Sequence, residues 1–340
     1  PEAPGTVSLR MRNGLYTCLY GAGYVIIITM ERNVLLTIAY DGSTFHGWQK
    51  QPGERTVQGY LEQTMSRLFG REILLSGTSR TDAGVHALGQ RASFKADIGI
   101  PTEKIALVVN NALCAREGKE SGRGGFAKSP IRVLEAREMP PEFHARFDSK
   151  GKEYIYRIRD GVSSRQDRSA DGTSRPEAGK NFADTADMSL VFERNYVYHV
   201  GERLDVEAMR EAARYYVGEH DFKAFEAAGG NPRETTVRTM FGAEVTASRT
   251  GAAGGTGAAG TAGSGEAAGE AAGGIIEFHI KGDGFLYNMV RIMTGTLVEV
   301  GRGKRRPEDI KSIIESRDRQ AAGHTAPPGG LYLAEIYYDR

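Results

Sequence analysis

Cysteine is scarce in this chain, with two in 340 residues, Cys18 and Cys114. They stand far apart and match no metal-ligand spacing. A disulfide framework and a cysteine-held zinc centre are therefore not expected, and a reducing, cytoplasmic setting is. Neither sign of charge is in excess: 44 Lys and Arg against 43 Asp and Glu leave a net charge of +1. No global basic surplus advertises nucleic-acid binding, although Arg116 to Arg132 and Arg302 to Arg306 are locally basic and read first as solvated surface. Long apolar runs are missing as well. Tyr24 to Met30 is apolar, but a spanning helix needs about 20 such residues, so no membrane anchor is expected. Arg10 and Arg12 precede that stretch in the manner of a signal peptide, yet no small-residue cleavage site follows. Residues 1–29 thus read as an N-terminal extension or a misplaced start, outside the core.

What is present is an ordinary apolar content of 40% and a length that suits two domains. Asn33 to Tyr40 is mainly apolar and ends at Asp41-Gly42, a strand and its turn. Val57, Tyr60, Leu61, Thr64, Met65, Leu68 and Phe69 fall on one face of a helix that Gly70 stops. Glu72 to Ser76 and Gln90 to Lys95 read as strands. Pro101 opens a second helix with Ile105, Val108, Val109 and Ala112 inward, and Ile131 to Glu138 is a strand. The order is β-α-β-β-α-β, the ferredoxin-like plan.

The plan then repeats. Glu153 to Arg159 is a strand, Asp205 caps a helix running to Val217, and Arg238 to Thr246 and Ile275 to Ile280 are strands. Phe285 to Val300 is an apolar helix, Pro307 to Ser316 a short added one, and Leu331 to Tyr338 the closing strand. The expectation is an α+β protein of two ferredoxin-like βαββαβ halves with mainly antiparallel sheets, an N-terminal domain over 30–147 and a C-terminal one over 148–340. Two insertions interrupt the second half, at 161–180 and 251–274. The latter is Gly or Ala at 19 of 24 positions and cannot bury a core.

One loop stands out for its chemistry. Ser79-Arg80-Thr81-Asp82-Ala83-Gly84-Val85-His86 sets a carboxylate two residues after an arginine, in a glycine turn between strands. Alone, an aspartate there usually satisfies backbone N–H groups. An ionised one held beside cations can also act as a nucleophile or base. Three function classes remain to weigh against that chemistry. An RNA-recognition module shares the βαββαβ plan but wants an aromatic RNP1 string, which is absent. A glycosidase-like hydrolase normally needs two carboxylates, and only one can be placed. Metal-assisted hydrolysis lacks its ligand motifs.

The loop belongs to a series of motifs: Tyr40-Asp41-Gly42-Ser43, Gly47-Trp48-Gln49, Arg80 to His86, Phe143-His144-Ala145-Arg146-Phe147, Lys152 to Tyr156, Phe285-Leu286-Tyr287-Asn288-Met289-Val290-Arg291 and Gly330-Leu331-Tyr332-Leu333. In that order and over residues 33–338 the series resembles tRNA pseudouridine synthase A. The resemblance implies isomerisation of uridine to pseudouridine in the anticodon stem-loop of tRNA, at positions 38 to 40. It implies a cleft between the two halves, a homodimer, and no metal or organic cofactor. Asp82 is by resemblance the catalytic carboxylate, adding to C1′ or C6 or removing the 2′ proton. Arg291 matches its charge partner, against the alternative of an arginine that snorkels to solvent. Arg80 matches the residue that displaces the nucleotide from the stack, since a stacked uracil cannot otherwise be reached. Tyr154 matches the aromatic that stacks on uracil and helps remove the C5 proton, although a strand tyrosine is more often core. Leu331 matches the leucine on the base's other side.

Lys50, Arg55, Arg116, Lys119, Arg123, Lys128 and the 302–306 cluster are candidates for tRNA phosphate, with specificity left to RNA shape. Tyr40, Phe45 and Trp48 are read as structural. The chain departs from the family at Ser79, where glycine is common. A positive φ there would strain the loop.

Overall fold

The structure is a computed structural model. It describes residues 8–12, 15–20, 24–29, 31–120, 122, 128–161, 190–230, 234–248 and 274–339. The insertions expected at 161–180 and 251–274 lie almost wholly outside the described residues. The fold is α+β with mostly antiparallel pairing, and the chain divides into two units, Pro1–Lys150 with Leu333–Arg340, and Gly151–Tyr332.

Strands β1 (Ser8–Arg12), β2 (Leu15–Tyr20) and β3 (Tyr24–Thr29) form an antiparallel sheet of their own. The rest of the first unit runs β4 (Arg32–Tyr40), α1 (Val57–Phe69), β5 (Ser76–Gly77), β6 (His86–Ala96), α2 (Thr102–Glu120) and β7 (Ile131–Met139). β4 lies between β6 and β7, and β5 adds to the far side of β6, all antiparallel. That is the ferredoxin-like order. Alternation along β4 puts Val34, Leu36 and Ile38, all fully buried, on one face. They join Val57, Leu61 and Met65 of α1 and Ile105, Val109 and Leu113 of α2 in the core, each burial contributing about 1.5–3 kcal/mol. Thr56 caps α1 through Gly59 N–H, and Gly70 ends it with φ 66°.

Several details differ from the sequence reading: the strand expected from Gln90 begins at His86, and Val108 and Ala112 of α2 are only half-buried. Leu68, placed on the inner face of α1, is partly exposed. The strand over 72–76 shrinks to Ser76–Gly77, because Leu75 N–H bonds to the side chain of Glu62 instead of a neighbouring strand. Glu62 is buried in an apolar helix face, where Gln58 and Lys50 also bond to its carboxylate.

The second unit holds β8 (Gly151–Arg159), β9 (Tyr198–His199), α3 (Val206–Arg214), β10 (Gly218–Asp221), β11 (Val237–Ser248), β12 (Ile275–Gly282), α4 (Met289–Gly301) and α5 (Asp309–Ser316). The sheet order is β10-β11-β12-β8, antiparallel, with β9 a short parallel addition beside β8. β9 and β10 are too short to leave a periodic pattern. Asp205 caps α3 as expected, accepting from Ala208 N–H at 3.0 Å. Tyr156, Ile158, Phe278 and Ile280 are buried with Met209 and Ala212 of α3 and Ile292, Met293 and Leu297 of α4. Helix α4 begins at Met289 rather than Phe285, since Asn288 is left-handed at φ 58° and interrupts the turn before it. The final strand, β13 (Leu331–Tyr337), starts in the second unit and ends in the first.

Candidate active site

The loop after β5 carries Asp82, and nearly every group around it is held. Gln90 on β6, fully buried, binds Ser79 through its side-chain amide: it accepts from Ser79 N–H at 3.3 Å and donates to Ser79 C=O at 2.6 Å. The Thr81 hydroxyl pairs with the Tyr40 hydroxyl at 2.7 Å, and Thr81 C=O accepts from Trp48 N–H at 3.1 Å. Asp82 C=O accepts from Val85 N–H at 3.1 Å, closing a turn whose third residue, Gly84, sits at φ 80°. That angle suits glycine and strains other residues. Ser79, by contrast, has no positive φ, so serine costs the loop nothing there. Asp82 is half-buried and Arg80 is exposed.

The far end of the loop is fixed by the Tyr40-Asp41-Gly42-Ser43 motif. Gly42 N–H donates to Nδ1 of the buried His86 at 3.1 Å. A β-carbon on residue 42 would stand 1.9 Å from Val85 O, so only glycine lets the two segments approach. Trp48 is 2% exposed and stacks 6.0 Å from Tyr40. Tyr40 and Trp48, read from sequence as plain structure, therefore brace the loop directly. Their hydrogen bonds to Thr81 left no trace in residue type or spacing.

The base of the loop is a small polar cluster. Thr78 and Tyr338 both donate to Ala145 C=O, at 3.0 and 2.9 Å. Burial pushes the Tyr338 hydroxyl up to about 12, so it stays protonated at neutral pH.

In the second unit the candidate residues ride on regular elements. Tyr154 is in β8, 6% exposed, with its ring edge-on to Phe285 at 5.0 Å. Arg291 is in the first turn of α4. It donates from Nε to Ala326 C=O at 2.7 Å and from a terminal nitrogen to Asn288 Oδ1 at 2.7 Å. The same Ala326 returns its N–H to Arg291 C=O at 3.1 Å. The guanidinium is thus docked on one segment, 326–331, that runs on to Leu331. Tyr156, two residues from Tyr154, donates to Pro327 C=O at 2.6 Å and fixes the segment from the strand side. Burial raises the Tyr156 hydroxyl well above its ordinary range, while the charge of Arg291 works the other way. Leu331 is 6% exposed.

A family profile described as tRNA pseudouridine synthase matches residues 36–148 and 212–339. The chain belongs to the tRNA pseudouridine synthase family. It is 39% identical to tRNA pseudouridine synthase A 2 of Clostridium tetani over 312 residues, 91% of this chain and 100% of that protein. It is also 39% identical to tRNA pseudouridine synthase A of Acetivibrio thermocellus over 307 residues, 90% of this chain and all of the other. The protein of the same name in Caldicellulosiruptor bescii is 38% identical over 90% of this chain. As a pseudouridine synthase, this chain is an isomerase acting on tRNA.

Several basic residues suggested as phosphate contacts for the pseudouridine synthase are engaged within the chain. Arg55 pairs with Glu117 at 2.9 Å and lies against Phe45 and Tyr60. Arg116 pairs with Glu120 at 2.7 Å and covers the Tyr60 ring at 3.6 Å. Arg302 pairs with Glu202 and Arg305 with Glu299, and Lys50 pairs with the buried Glu62. These side chains tie elements together. Lys119, Lys128 and Lys304 are exposed, and Arg123 lies outside the described residues. Among the described residues no helix is long and apolar enough to cross a membrane, and no His, Cys, Asp or Glu cluster could hold a metal ion.

Proposed function

We propose that this pseudouridine synthase isomerises uridine in the anticodon stem-loop of tRNA, at positions 38 to 40, with Asp82 as its catalytic carboxylate. The reaction breaks the N1–C1′ bond, turns the uracil, and joins C5 to C1′. The C5 proton leaves and N1 gains one. No oxidation occurs and no group enters, so the chemistry asks for no metal or organic cofactor. Asp82 adds to C1′ or C6 or takes the 2′ proton; each route needs it ionised beside the ribose.

In this reading Arg291 is the charge partner that keeps the carboxylate ionised as water is excluded. Arg80 displaces the target nucleotide from the stack, at a cost of a few kcal/mol. Tyr154 stacks on the flipped uracil and helps remove the C5 proton, and Leu331 bounds the other face. The enzyme works in the cytoplasm as a homodimer and recognises tRNA by shape and phosphate contact. The observation that carries the reading is the intact Arg80 to His86 motif in a family member, on a loop whose backbone is held at Ser79, Thr81, Asp82 and Val85. Pre-fixed geometry of that kind is what a cofactor-free carboxylate requires.

The first test is Asp82→Asn. Tritium release from C5-labelled uridine in a tRNA transcript is expected to fall below detection, with the melting temperature and tRNA affinity close to wild type. Normal turnover by the Asn variant would remove Asp82 from the mechanism.

A further inference from the structure

The motif Phe143 to Phe147 has no role in the chemistry above, yet it ends in a conspicuous residue. Phe147 is 74% exposed. An exposed phenylalanine by itself is unremarkable; this one is held in place. His144 and Phe147 rings stack with centroids 4.3 Å apart and planes 34° apart. His144 Nδ1 accepts from the backbone N–H groups of Arg146 and Phe147, at 3.1 and 3.4 Å. The Asp148 carboxylate accepts from His144 N–H at 2.8 Å, and Asp148 N–H returns to His144 C=O at 3.1 Å. The Arg146 guanidinium lies 5.8 Å from the Phe147 ring centroid. Phe192 is equally exposed but has no ring partner among the described residues.

The turn is also joined to the catalytic loop. Ala145, fully buried at its centre, takes hydrogen bonds on its C=O from Thr78 and Tyr338, and its N–H goes to Ser93 Oγ at 3.3 Å. Thr78 immediately precedes Ser79 and Arg80. A rigid, outward-facing aromatic with a guanidinium beside it is thus fastened to the base of the loop that carries Asp82.

We propose that Phe147, backed by His144 and flanked by Arg146, is a stacking platform for an unpaired base of the RNA substrate. An aromatic face stacks on any base, and a neighbouring guanidinium suits both a π face and a phosphate. Flipping a nucleotide from a stem leaves bases without stacking partners, and the platform offers one of them a replacement surface. The inference rests on the substrate being RNA, as proposed above.

The test is binding and steady-state kinetics with Phe147→Ala, Phe147→Leu and Phe147→Trp, on an unmodified tRNA transcript and a fully paired RNA duplex of equal length. Ala and Leu are expected to raise Kd and KM for tRNA about tenfold, within the usual range for losing one base–aromatic stack. kcat should change little, Trp should restore affinity, and duplex binding should not move. Leu keeps the apolar bulk and removes only the π face. Wild-type tRNA affinity in both Ala and Leu variants would overturn the proposal, as would equal weakening on duplex. So would a change in oligomeric mass by light scattering with tRNA affinity unchanged, which would assign Phe147 to a contact between copies. Absence of pseudouridine formation by the wild-type protein would instead overturn the parent reading, and the binding arm would still report on the platform.

Discussion

The two sets of candidate residues are positioned in opposite ways. Asp82 and Arg80 sit on a loop, and their place depends on side chains drawn from β4 and β6 and on the backbone of Trp48. Tyr154 and Arg291 sit on a strand and a helix, whose ladders fix most of the backbone, with Ala326 bonded to Arg291 besides. A loop leaves many backbone groups to be satisfied individually, so it needs a dedicated partner at each. A strand or helix residue inherits its position from neighbours that serve the core. The loop should therefore be sensitive to substitutions that touch no reacting atom, and the strand and helix far less so.

Among substitutions that touch no reacting atom, the largest effect is expected at Gly42. Alanine there drives a β-carbon into Val85 O, and overpacking of this kind costs about 1–3 kcal/mol. A displacement of about 1 Å at the carboxylate costs on the order of a hundredfold in rate. Gly42→Ala should lose roughly that much kcat and melt several degrees lower; wild-type kcat would show that the loop tolerates movement.

Gln90→Ala comes next. It leaves Ser79 N–H and C=O without their side-chain partner in a buried site, worth about 1–3 kcal/mol. A loss of kcat of about tenfold is expected, with little change in KM, read by single-turnover assay. An unchanged rate would mean the clamp is redundant with the Thr81–Tyr40 pair.

The smallest effect is expected on the other side of the comparison. Asp205→Ala removes the cap of α3, at about 1 kcal/mol of stability. Thermal melts should register it while kcat stays at the wild-type value. A loss of activity there would show that the second unit's residues also depend on distant bracing.

What the sequence revealed follows the same division. Apolar spacing gave both βαββαβ series, and Gly70 and Asp205 marked helix ends where the structure has them. Residues with a periodic or capping signature were legible because their physics is local. The misplaced start of α4 came from Asn288, whose left-handed backbone no hydropathy pattern reports. The shortened β5 came from Glu62, a carboxylate that takes an N–H a strand would have used. The roles of Tyr40, Trp48 and Gln90 as braces depend on atoms brought together from distant parts of the chain. The identity of Asp82 as the residue to watch came from its motif; the composition of the chain, nearly neutral overall, pointed nowhere.

The last strand has a consequence for how the molecule is made. Leu333–Arg340 belongs to the first unit, although some 180 residues separate it from Lys150. Tyr338 bonds to Ala145 C=O beneath the catalytic loop. During synthesis from the N-terminus, the unit that emerges first waits for Tyr338 to leave the ribosome before that hydrogen bond can form. Only a chain translated as far as Tyr338 can therefore hold Ala145, at the base of the loop, from both sides.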